Sequence, residues 1–443
     1  MDKYLLTLSV RSDGSSKFRG DNKYSTFPSV ALGWRISEED FMQETFFDEL
    51  KLRASWGQTG SQAIAPFGTI TTLNTNPNTA GASYLNGSLT PGFVLGNPGN
   101  ADLRWETTSQ LNFGVDMGFF NNRLGITLDY YEKSTEDLLL NQPLPDYVGG
   151  GEIVKNVGQV DNSGVELGIN ATLVDNGNFT WETTFNAAYL TNEVVDLGDR
   201  SEIFLSGGVG AGLTNQPENI LTPGESLSTY WGLRYLGTWK SDQAAEAAVY
   251  GNVPGDSRYE DINGDNSINA DDMQIIGNGT PTATYGWNNI ISYKDFTLNL
   301  FFNAMTGFDK WNFGYATGVM PNVDARESVH VDILNRWAPG NEDSDIPHFS
   351  PTSLEEIQSS RFVEKGDFVR LKNVSLSYNL PQETIKGIDM QVILSGTNLW
   401  TITDYKGLDP EAYSNNGIGD SSGGDAGSYP NSKTWTLGVK LNF

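Results

Sequence analysis

The sequence predicts an all-β fold, a transmembrane antiparallel β-barrel with long extracellular loops, and three observations lead to that prediction. Apolar and polar residues alternate with a period of two along the whole chain. Many of the alternating runs reach the roughly 9–11 residues that a tilted strand needs to cross a bilayer. The connections between runs are alternately short and long, which is typical of membrane barrels with tight turns at one rim and extended loops at the other.

The amino-acid composition agrees with a sheet that has one apolar face and one polar face. Hydrophobic residues make up only 38% of the chain, yet aromatic residues reach 12%, and disordered chains lack aromatics. The absence of cysteine excludes disulfides and thiolate metal sites. The formal net charge of −27 excludes a broad electrostatic footprint for nucleic acid.

The last run of the chain shows the alternation most clearly. One face carries only large apolar side chains, and the other carries Thr, Gly, Lys and Asn; the apolar set is Trp435, Leu437, Val439, Leu441 and Phe443. Such a strand has one face in an apolar medium and one in a polar medium. Similar runs predict about twelve strands that span the membrane, here called the wall strands, at 3–11, 26–37, 48–58, 103–119, 123–133, 161–174, 179–191, 283–294, 295–306, 363–380, 388–400 and 431–443.

The order of short and long connections fixes the direction of the wall strands. Very short turns are predicted at Asn121-Asn122, at 175–178 and at Lys294-Asp295. Long excursions lie near 59–101, 192–282, 307–362 and 401–430. With the short turns in the periplasm, the last strand runs downward and Phe443 lies at the periplasmic rim. The strand-like segment 229–239 must then belong to the outer excursion, because a further wall strand would move every later turn to the wrong side.

The start of the chain indicates a part of a longer protein. No stretch approaches the roughly 18 apolar residues of a transmembrane helix. Residues 1–11 read as a strand and not as a signal peptide, which would begin with a basic region followed by an apolar core. We therefore expect a barrel part that lacks the signal peptide.

Several segments, in their order along the chain, resemble the C-terminal half of SusC/RagA-type TonB-dependent outer-membrane transporters. They are "LRASWGQTGSQAIAPFGT" (52–69), "NADLRWETTSQLNFGVDMGFFNNRLGITLDYYEKSTEDLLL" (100–140), "NVGQVDNSGVELGINA" (156–171), "GDSRYEDINGDNSINADDMQIIGNGTPTATYGWNNIISYKDFTLNLFF" (255–302), "GDFVRLKNVSLSYNLP" (366–381), "SGTNLWTITDYKGLDPE" (395–411) and the terminal strand.

This resemblance implies a function as well as a fold. It implies the C-terminal portion, residues 1–443, of a plugged barrel of about 22 strands in the outer membrane of a Gram-negative bacterium. Such transporters import oligosaccharides or peptides with a SusD-like surface lipoprotein, and the TonB complex supplies energy through an N-terminal part. Compared with the family pattern, we expect residues 1–443 to be without the plug domain, the TonB-contacting box and the early strands.

One loop in the excursion 192–282 has the spacing of a calcium site. EF-hand loops bind Ca²⁺ through oxygen ligands at positions 1, 3, 5, 7, 9 and 12, the seventh by its backbone carbonyl and the ninth often through water. The segment "DINGDNSINADD" (261–272) has Asn266 at position six, where a left-handed residue is needed, and Ile268 at the apolar eighth position. The alternative is an acidic surface loop without metal. The candidate ligands are Asp261, Asn263, Asp265, Ser267, Asn269 and Asp272.

Other signals carry no chemistry, and the sequence predicts neither an enzyme nor a catalytic residue. The two histidines, His330 and His348, lie in one excursion and are expected to be solvated. The segment 37–47 is predicted to form a short periplasmic helix, with acidic residues at its N-terminus. Aromatic residues in the loops are candidates for stacking on sugar rings, with self-packing of the loops as the alternative: Tyr84, Phe93, Tyr315 and Tyr413.

Two further function classes stay open at this stage. A passive, porin-like or non-functional barrel fragment would use the same strands without energy coupling. A secreted soluble β-protein that binds glycans would show the same alternation in a sandwich.

Overall fold

The computed structural model describes most of the chain. The described residues are 3–42, 45–74, 82–85, 88–91, 94–96, 98–144, 152–205, 218–320, 329–348, 358–381, 388–411, 424–425 and 428–442. The predicted place of Phe443 at the periplasmic rim lies outside them.

Twelve long strands form one antiparallel sheet, and each strand lies beside its neighbours in sequence. Their residues alternate as predicted, which is why they form extended ladders and not helices. The wall strands, β1 to β12 in order, are Tyr4–Gly14, Tyr24–Arg35, Phe47–Ser61, Glu106–Phe119, Leu124–Glu136, Gln159–Asp175, Phe179–Asp196, Ala283–Tyr293, Phe296–Thr306, Phe368–Asn379, Asp389–Thr403 and Thr434–Asn442.

The predicted number and placing of the wall strands are confirmed, with one internal correction. The predicted strand 363–380 is two strands, Val363–Lys365 and β10. The break falls at Gly366 and Asp367, where the N–H of Gly366 donates to the carbonyl of Phe308 and the Asp367 carboxylate accepts from Gly307. The segment 229–239 forms short strands outside the wall, as the predicted order of short and long connections requires.

Left-handed backbone makes the short turns possible. Between β4 and β5, Phe120, Asn121 and Asn122 all have φ near 60°, and between β8 and β9 Lys294 has φ 51°. Asparagine adopts this region more readily than most residues, so the Asn-Asn pair supplies the tight reversal that the sequence predicted.

The chain divides into two compact units. The first comprises Met1–Asn122, Thr127–Val165 and Asn192–Ser201, and the second comprises Arg123–Ile126, Glu166–Thr191 and Glu202–Phe443. The first contains β1 to β4, and the second contains β8 to β12.

The excursions form small sheets of their own. A four-stranded sheet joins Ile203–Leu205, Asn219–Leu221, Thr229–Leu233 and Met273–Asn278, and Tyr235–Thr238 pairs with Ser257–Tyr259. A three-stranded sheet has Asp309–Asn312 between Val363–Lys365 and Gly424–Asp425. Hairpin-like pairs are Leu139–Pro143 with Glu152–Asn156, Ala82–Leu85 with Ser88–Pro91, and Leu73–Asn74 with Val94–Leu95.

Helices are short. The α-helices are Ala244–Ala247 and Phe313–Val319, and single 3₁₀ turns are Gly20–Lys23, Ile36–Glu38, Asp40–Met42, Ser241–Gln243, Ala248–Tyr250, Ala270–Asp272, Val331–Asn335 and Ser360–Phe362. Of the helices within the described ranges, none has the length and apolar character needed to span a membrane.

The predicted helix 37–47 is wrong, because the chain makes two 3₁₀ turns there. The Glu39 carboxylate between the two turns accepts hydrogen bonds from Tyr4 Oη (2.7 Å), Trp34 Nε1 (3.1 Å) and Lys3 Nζ (3.1 Å). These three partners stand at the ends of β1 and β2, and they hold Glu39 against the wall in place of a continuing helix.

Burial is distributed as in a membrane wall with folded excursions. The apolar wall side chains are among the most exposed in the chain, for example Leu8 at 70% and Leu437 at 72%. By contrast, a core of fully buried side chains lies in the excursions, formed by Tyr230, Trp311, Phe313, Ala316, Val319 and Phe362. Exposed apolar strands are stable in hydrocarbon and costly in water.

We expect the two faces of β9 to differ in their tolerance of charge. Replacing the outward Leu300 by Arg should lower the free energy of unfolding in lipid vesicles by about 2–4 kcal/mol, because it places a charge near the bilayer centre. Asn299→Arg, one residue away on the polar face, is the matched control and should change it by less than about 1 kcal/mol. Denaturant unfolding followed by tryptophan fluorescence measures both. Equal losses would show that the faces are assigned wrongly.

Candidate functional site

The backbone of the segment 261–272 is left-handed at position six, as the sequence predicts. It begins just after the strand Ser257–Tyr259 and ends in the 3₁₀ turn that leads into Met273–Asn278. Asn266, at position six, has φ 64°, so the predicted left-handed residue is confirmed.

Hydrogen bonds within the loop hold its carboxylates inward. Asp261 accepts from the N–H groups of Gly264 (2.7 Å) and Asn266 (2.9 Å). Asp272 is fully buried and accepts from the N–H groups of Ile262 (3.0 Å) and Asn269 (2.9 Å). The loop is therefore closed on itself from its first to its last predicted ligand.

The other predicted ligands lie in pairs. Asn263 donates from Nδ2 to the Asp265 carboxylate (3.1 Å), and Asn269 donates from Nδ2 to the Ser267 carbonyl (3.2 Å). Ile268 packs against the buried cluster of Leu233, Tyr259 and Met273, which is the role expected of the eighth position.

Calcium binding at this loop stays a prediction. Among the residues that the structure describes, no group of three or more His, Cys, Asp or Glu side chains is placed to hold a metal ion. The carboxylates face backbone N–H groups, which occupy acceptor positions that a cation would otherwise use.

His330 is exposed, in agreement with the expectation of a solvated residue, whereas His348 is partly buried and the expectation is wrong for it. His348 Nε2 lies 2.7 Å from the Oδ1 of the buried Asp256, and its ring meets Trp337 edge-on at 5.8 Å. His330 Nδ1 accepts from the N–H of Asp332 at the start of a 3₁₀ turn. His348 thus joins the excursion 307–362 to the excursion 192–282, whereas the contact of His330 lies within 307–362.

Tyr315 packs inside its excursion and is not presented for stacking on sugar. It lies against the core around Phe362, and its hydroxyl donates to Asp332 (3.0 Å). Burial and the Asp332 carboxylate raise the pKa of Tyr315 to about 12. The side chains of Tyr84, Phe93 and Tyr413 lie outside the described residues.

A buried charge centre on the polar face of β9 to β11 was not predicted from the sequence. Arg370, at 3% exposure, pairs with Asp409 and Glu411, which follow β11 in the segment "GLDPE". Lys372 donates to the same Glu411 carboxylate (2.7 Å), and Asn303 of β9 donates to it as well (2.9 Å). The centre fixes the start of the excursion after β11 to the wall.

Backbone N–H groups complete the hydrogen bonding of the Asp409 carboxylate. Its carboxylate accepts from the N–H groups of Glu411 (2.9 Å) and Asn431 (2.8 Å). Burial alone would raise the pKa of Asp409, but the bonds from Arg370 and from these two N–H groups lower it below its usual value. The carboxylate is thus held charged, with both ends of the 404–433 connection attached to it.

Lys310 extends this centre into the three-stranded sheet. It is 2% exposed, donates to the carbonyls of Asp409 (3.3 Å) and Pro410 (2.8 Å), and lies over the Tyr405 ring at 5.3 Å. Burial lowers the pKa of Lys310 to about 8, against the opposing effect of Asp425 and Asp409. Tyr405 donates to Asp425 (2.9 Å).

A second charged network lies on the polar face of the first unit. Arg53 of β3 makes two hydrogen bonds to Asp116 and two to Asp129, all of 2.9 Å. Gly114 lies beneath the guanidinium, where a Cβ atom would meet it at 2.5 Å. The absence of a side chain at this glycine lets Arg53 lie flat between two carboxylates.

Most of the chain matches a known family. The family model described as "TonB dependent receptor-like, beta-barrel" matches residues 1–309. The chain belongs to this family. The predicted resemblance to SusC/RagA-type proteins is confirmed, and the outer membrane is the location of TonB-dependent receptor barrels.

Relatives of this TonB-dependent receptor barrel are similar along the whole chain. TonB-dependent receptor P3 of Formosa agariphila is 38% identical over 452 residues, which cover 100% of this chain and 44% of the relative. TonB-dependent receptor SusC of Bacteroides thetaiotaomicron is 29% identical over 458 residues, 100% of this chain and 42% of SusC. The chain therefore spans less than half the length of the curated relatives that it matches.

Solved structures give the same result. The structure of the RagAB peptide transporter aligns with a TM-score of 0.84 and 26% identity, over 100% of this chain and 46% of that chain. The RagAB peptide importer in its open-open state aligns with a TM-score of 0.80 and 27% identity, over 100% and 45%. A soluble β-sandwich, the third hypothesis, does not fit this membership.

We expect Arg370→Met to loosen the connection after β11. The change leaves Asp409 and Glu411 without their buried cation, and breaking such a pair costs about 3–5 kcal/mol. Hydrogen exchange at the amides of Glu411 and Asn431 should accelerate, since both donate to Asp409.

Arg11→Met is the matched control for this prediction. Arg11 pairs with Asp13 on an exposed part of β1, where an ion pair contributes about 1 kcal/mol at most. Unchanged exchange at Glu411 and Asn431 in Arg370→Met would contradict a role of the charge centre in holding the excursion.

Proposed function

We propose that the chain is the barrel portion of a SusC-like TonB-dependent transporter that imports oligosaccharides or peptides across the outer membrane of a Gram-negative bacterium. The observation that carries the proposal is the similarity over the whole chain to proteins named for this class, SusC and the RagAB transporter. The relatives are receptors and transporters, which supports a role other than an enzyme.

The same similarity supports the partners. RagAB is described as a peptide importer with closed and open states. We infer a SusD-like surface lipoprotein at the extracellular side, an interaction with the TonB complex through a part of the protein beyond this chain, and outer-membrane lipid around the wall. Glycans and peptides are both retained as substrate classes.

Growth of a deletion mutant tests the proposal. Removing the coding region in frame from the source bacterium should abolish or strongly slow growth on one class, either oligosaccharides or peptides, offered as the sole nutrient. Complementation with the intact gene should restore it, and collapsing the proton gradient should block uptake of the same compound in the wild type. Uptake that survives loss of the gradient would instead identify a passive barrel.

We also propose that the loop 261–272 holds a structural Ca²⁺ ion. The spacing of its ligands and the left-handed Asn266 support this proposal. Asp261, Asp265 and Asp272 would supply carboxylate oxygens, and Asn263, the Ser267 carbonyl and Asn269 would complete the set. A bound ion would restrain the loop by neutralising its carboxylates, and an affinity of about 10⁻⁴ to 10⁻³ M is typical of extracellular modules.

Protease sensitivity with and without calcium tests the loop. Chelation by EGTA should increase cleavage within 261–272 in the parent protein, and Asp265→Ala should be cleaved rapidly in both conditions while the wall stays folded. Asp271→Ala is the matched control, because position eleven is not a ligand position. If calcium leaves cleavage of the parent unchanged, the loop is held by its own hydrogen bonds alone.

A further inference from the structure

The apolar face of the first unit contains a groove. Its volume is about 710 Å³, within the range of small-molecule sites. Ala54 lies at its floor, because the register places this small residue between Leu32 of β2 and Phe113 of β4. Trp34, Leu52 and Tyr130 add to the lining.

The groove faces the lipid and not a protein core. Leu32 is 55% exposed, Phe113 is 49% exposed, and Leu6, which pairs with Leu32, is 63% exposed. A gap between apolar side chains loses dispersion contacts unless something fills it. In a membrane wall the filling group with matching chemistry is a hydrocarbon chain.

One end of the groove is aromatic and lies at the periplasmic rim. The rings of Tyr4 and Trp34 stack with centroids 6.4 Å apart, at the start of β1 and the end of β2. Both donate a hydrogen bond to Glu39 in the turn after β2. Amphipathic Tyr and Trp side chains prefer the interface between hydrocarbon and headgroups, so the groove runs from this interface into the hydrocarbon.

Charges of both signs stand at that end. Lys3 lies 3.1 Å from Glu39 and 3.8 Å from Asp40, whose side chain is 94% exposed. Arg35 pairs with Glu38 (2.9 Å). Two cations and three carboxylates suit a headgroup that carries a phosphate and an ammonium group, because the cations attract the first and the excess carboxylate attracts the second. A headgroup with net negative charge would be repelled by the excess carboxylate.

We propose that this groove, together with the charged turn 35–40, binds one zwitterionic phospholipid of the phosphatidylethanolamine class from the periplasmic leaflet. An acyl chain lies over Ala54 and is bounded by Leu32 and Phe113. The ammonium group lies near Asp40, and the phosphate lies near Lys3.

Lipid retention tests the site. The full chain is extracted in mild detergent, incubated with equal amounts of phosphatidylethanolamine and phosphatidylglycerol of the same acyl chains, and washed by gel filtration. Native mass spectrometry then counts bound lipid. The expected result is retention of phosphatidylethanolamine over phosphatidylglycerol by roughly tenfold, equivalent to about 1.4 kcal/mol.

Two variants separate the acyl and headgroup contributions. Ala54→Phe fills the groove floor and should reduce retention of phosphatidylethanolamine about tenfold, whereas Ala304→Phe, the same change on the apolar face of β9, should leave it unchanged. Asp40→Lys lies outside the wall, so it tests the headgroup even if Ala54→Phe does not fold, and it should shift the preference towards phosphatidylglycerol. Equal retention of the two lipids by the parent, or full retention by Ala54→Phe, would overturn the proposal.

Discussion

The structure depends on one constraint, that hydrocarbon offers no hydrogen-bonding partner to a peptide N–H or C=O group. The inner wall strands β2 to β11 satisfy it by pairing on both sides. Among the described residues, β1 pairs with β2 and β12 pairs with β11. Their apolar side chains remain exposed because the medium around them is apolar. Burial of the ordinary kind is consequently found where the chain leaves the membrane, in the excursion core around Trp311 and Phe362.

Buried charge then decides how the excursions attach to the wall. Arg370 and Asp409 are almost fully buried and hydrogen-bonded on several sides, so neither can lose its partner without leaving a desolvated charge. Lys310 is less well compensated. Because burial lowers its pKa, Lys310 binds its proton more tightly in the unfolded chain than in the folded chain. Its contribution to the free energy of unfolding therefore rises as the pH increases from about 8 to the ordinary lysine pKa near 10.4. Below about pH 8 the cost of burying its charge is fully present.

The wall was predictable because apolar and polar residues alternate along each strand, as from Trp435 to Leu441. The order of short and long connections then placed 229–239 outside the wall without knowledge of its strand partners. The charge centre was not predictable, because Lys310, Arg370 and Asp409 are distant in sequence and only strand pairing brings them together. The helix predicted at 37–47 failed for a similar reason, since the contacts of Glu39 with Tyr4 and Trp34 are not visible locally. The calcium-type loop was predictable only in part. Asn266 predicted the left-handed backbone at position six, whereas calcium binding by the carboxylates of the loop stays a proposal.

Charge also restricts the cargo that the proposed transporter suits. The chain has 55 acidic against 28 basic side chains. Two arginines on the polar face of the wall are paired with carboxylates, Arg53 with Asp116 and Asp129, and Arg370 with Asp409 and Glu411. A strongly anionic substrate would meet repulsion and would have to compete with these carboxylates for their partners. A neutral oligosaccharide or a neutral or basic peptide would not meet this repulsion. For the proposed transporter, electrostatics therefore disfavours acidic glycans relative to neutral oligosaccharides and neutral or basic peptides.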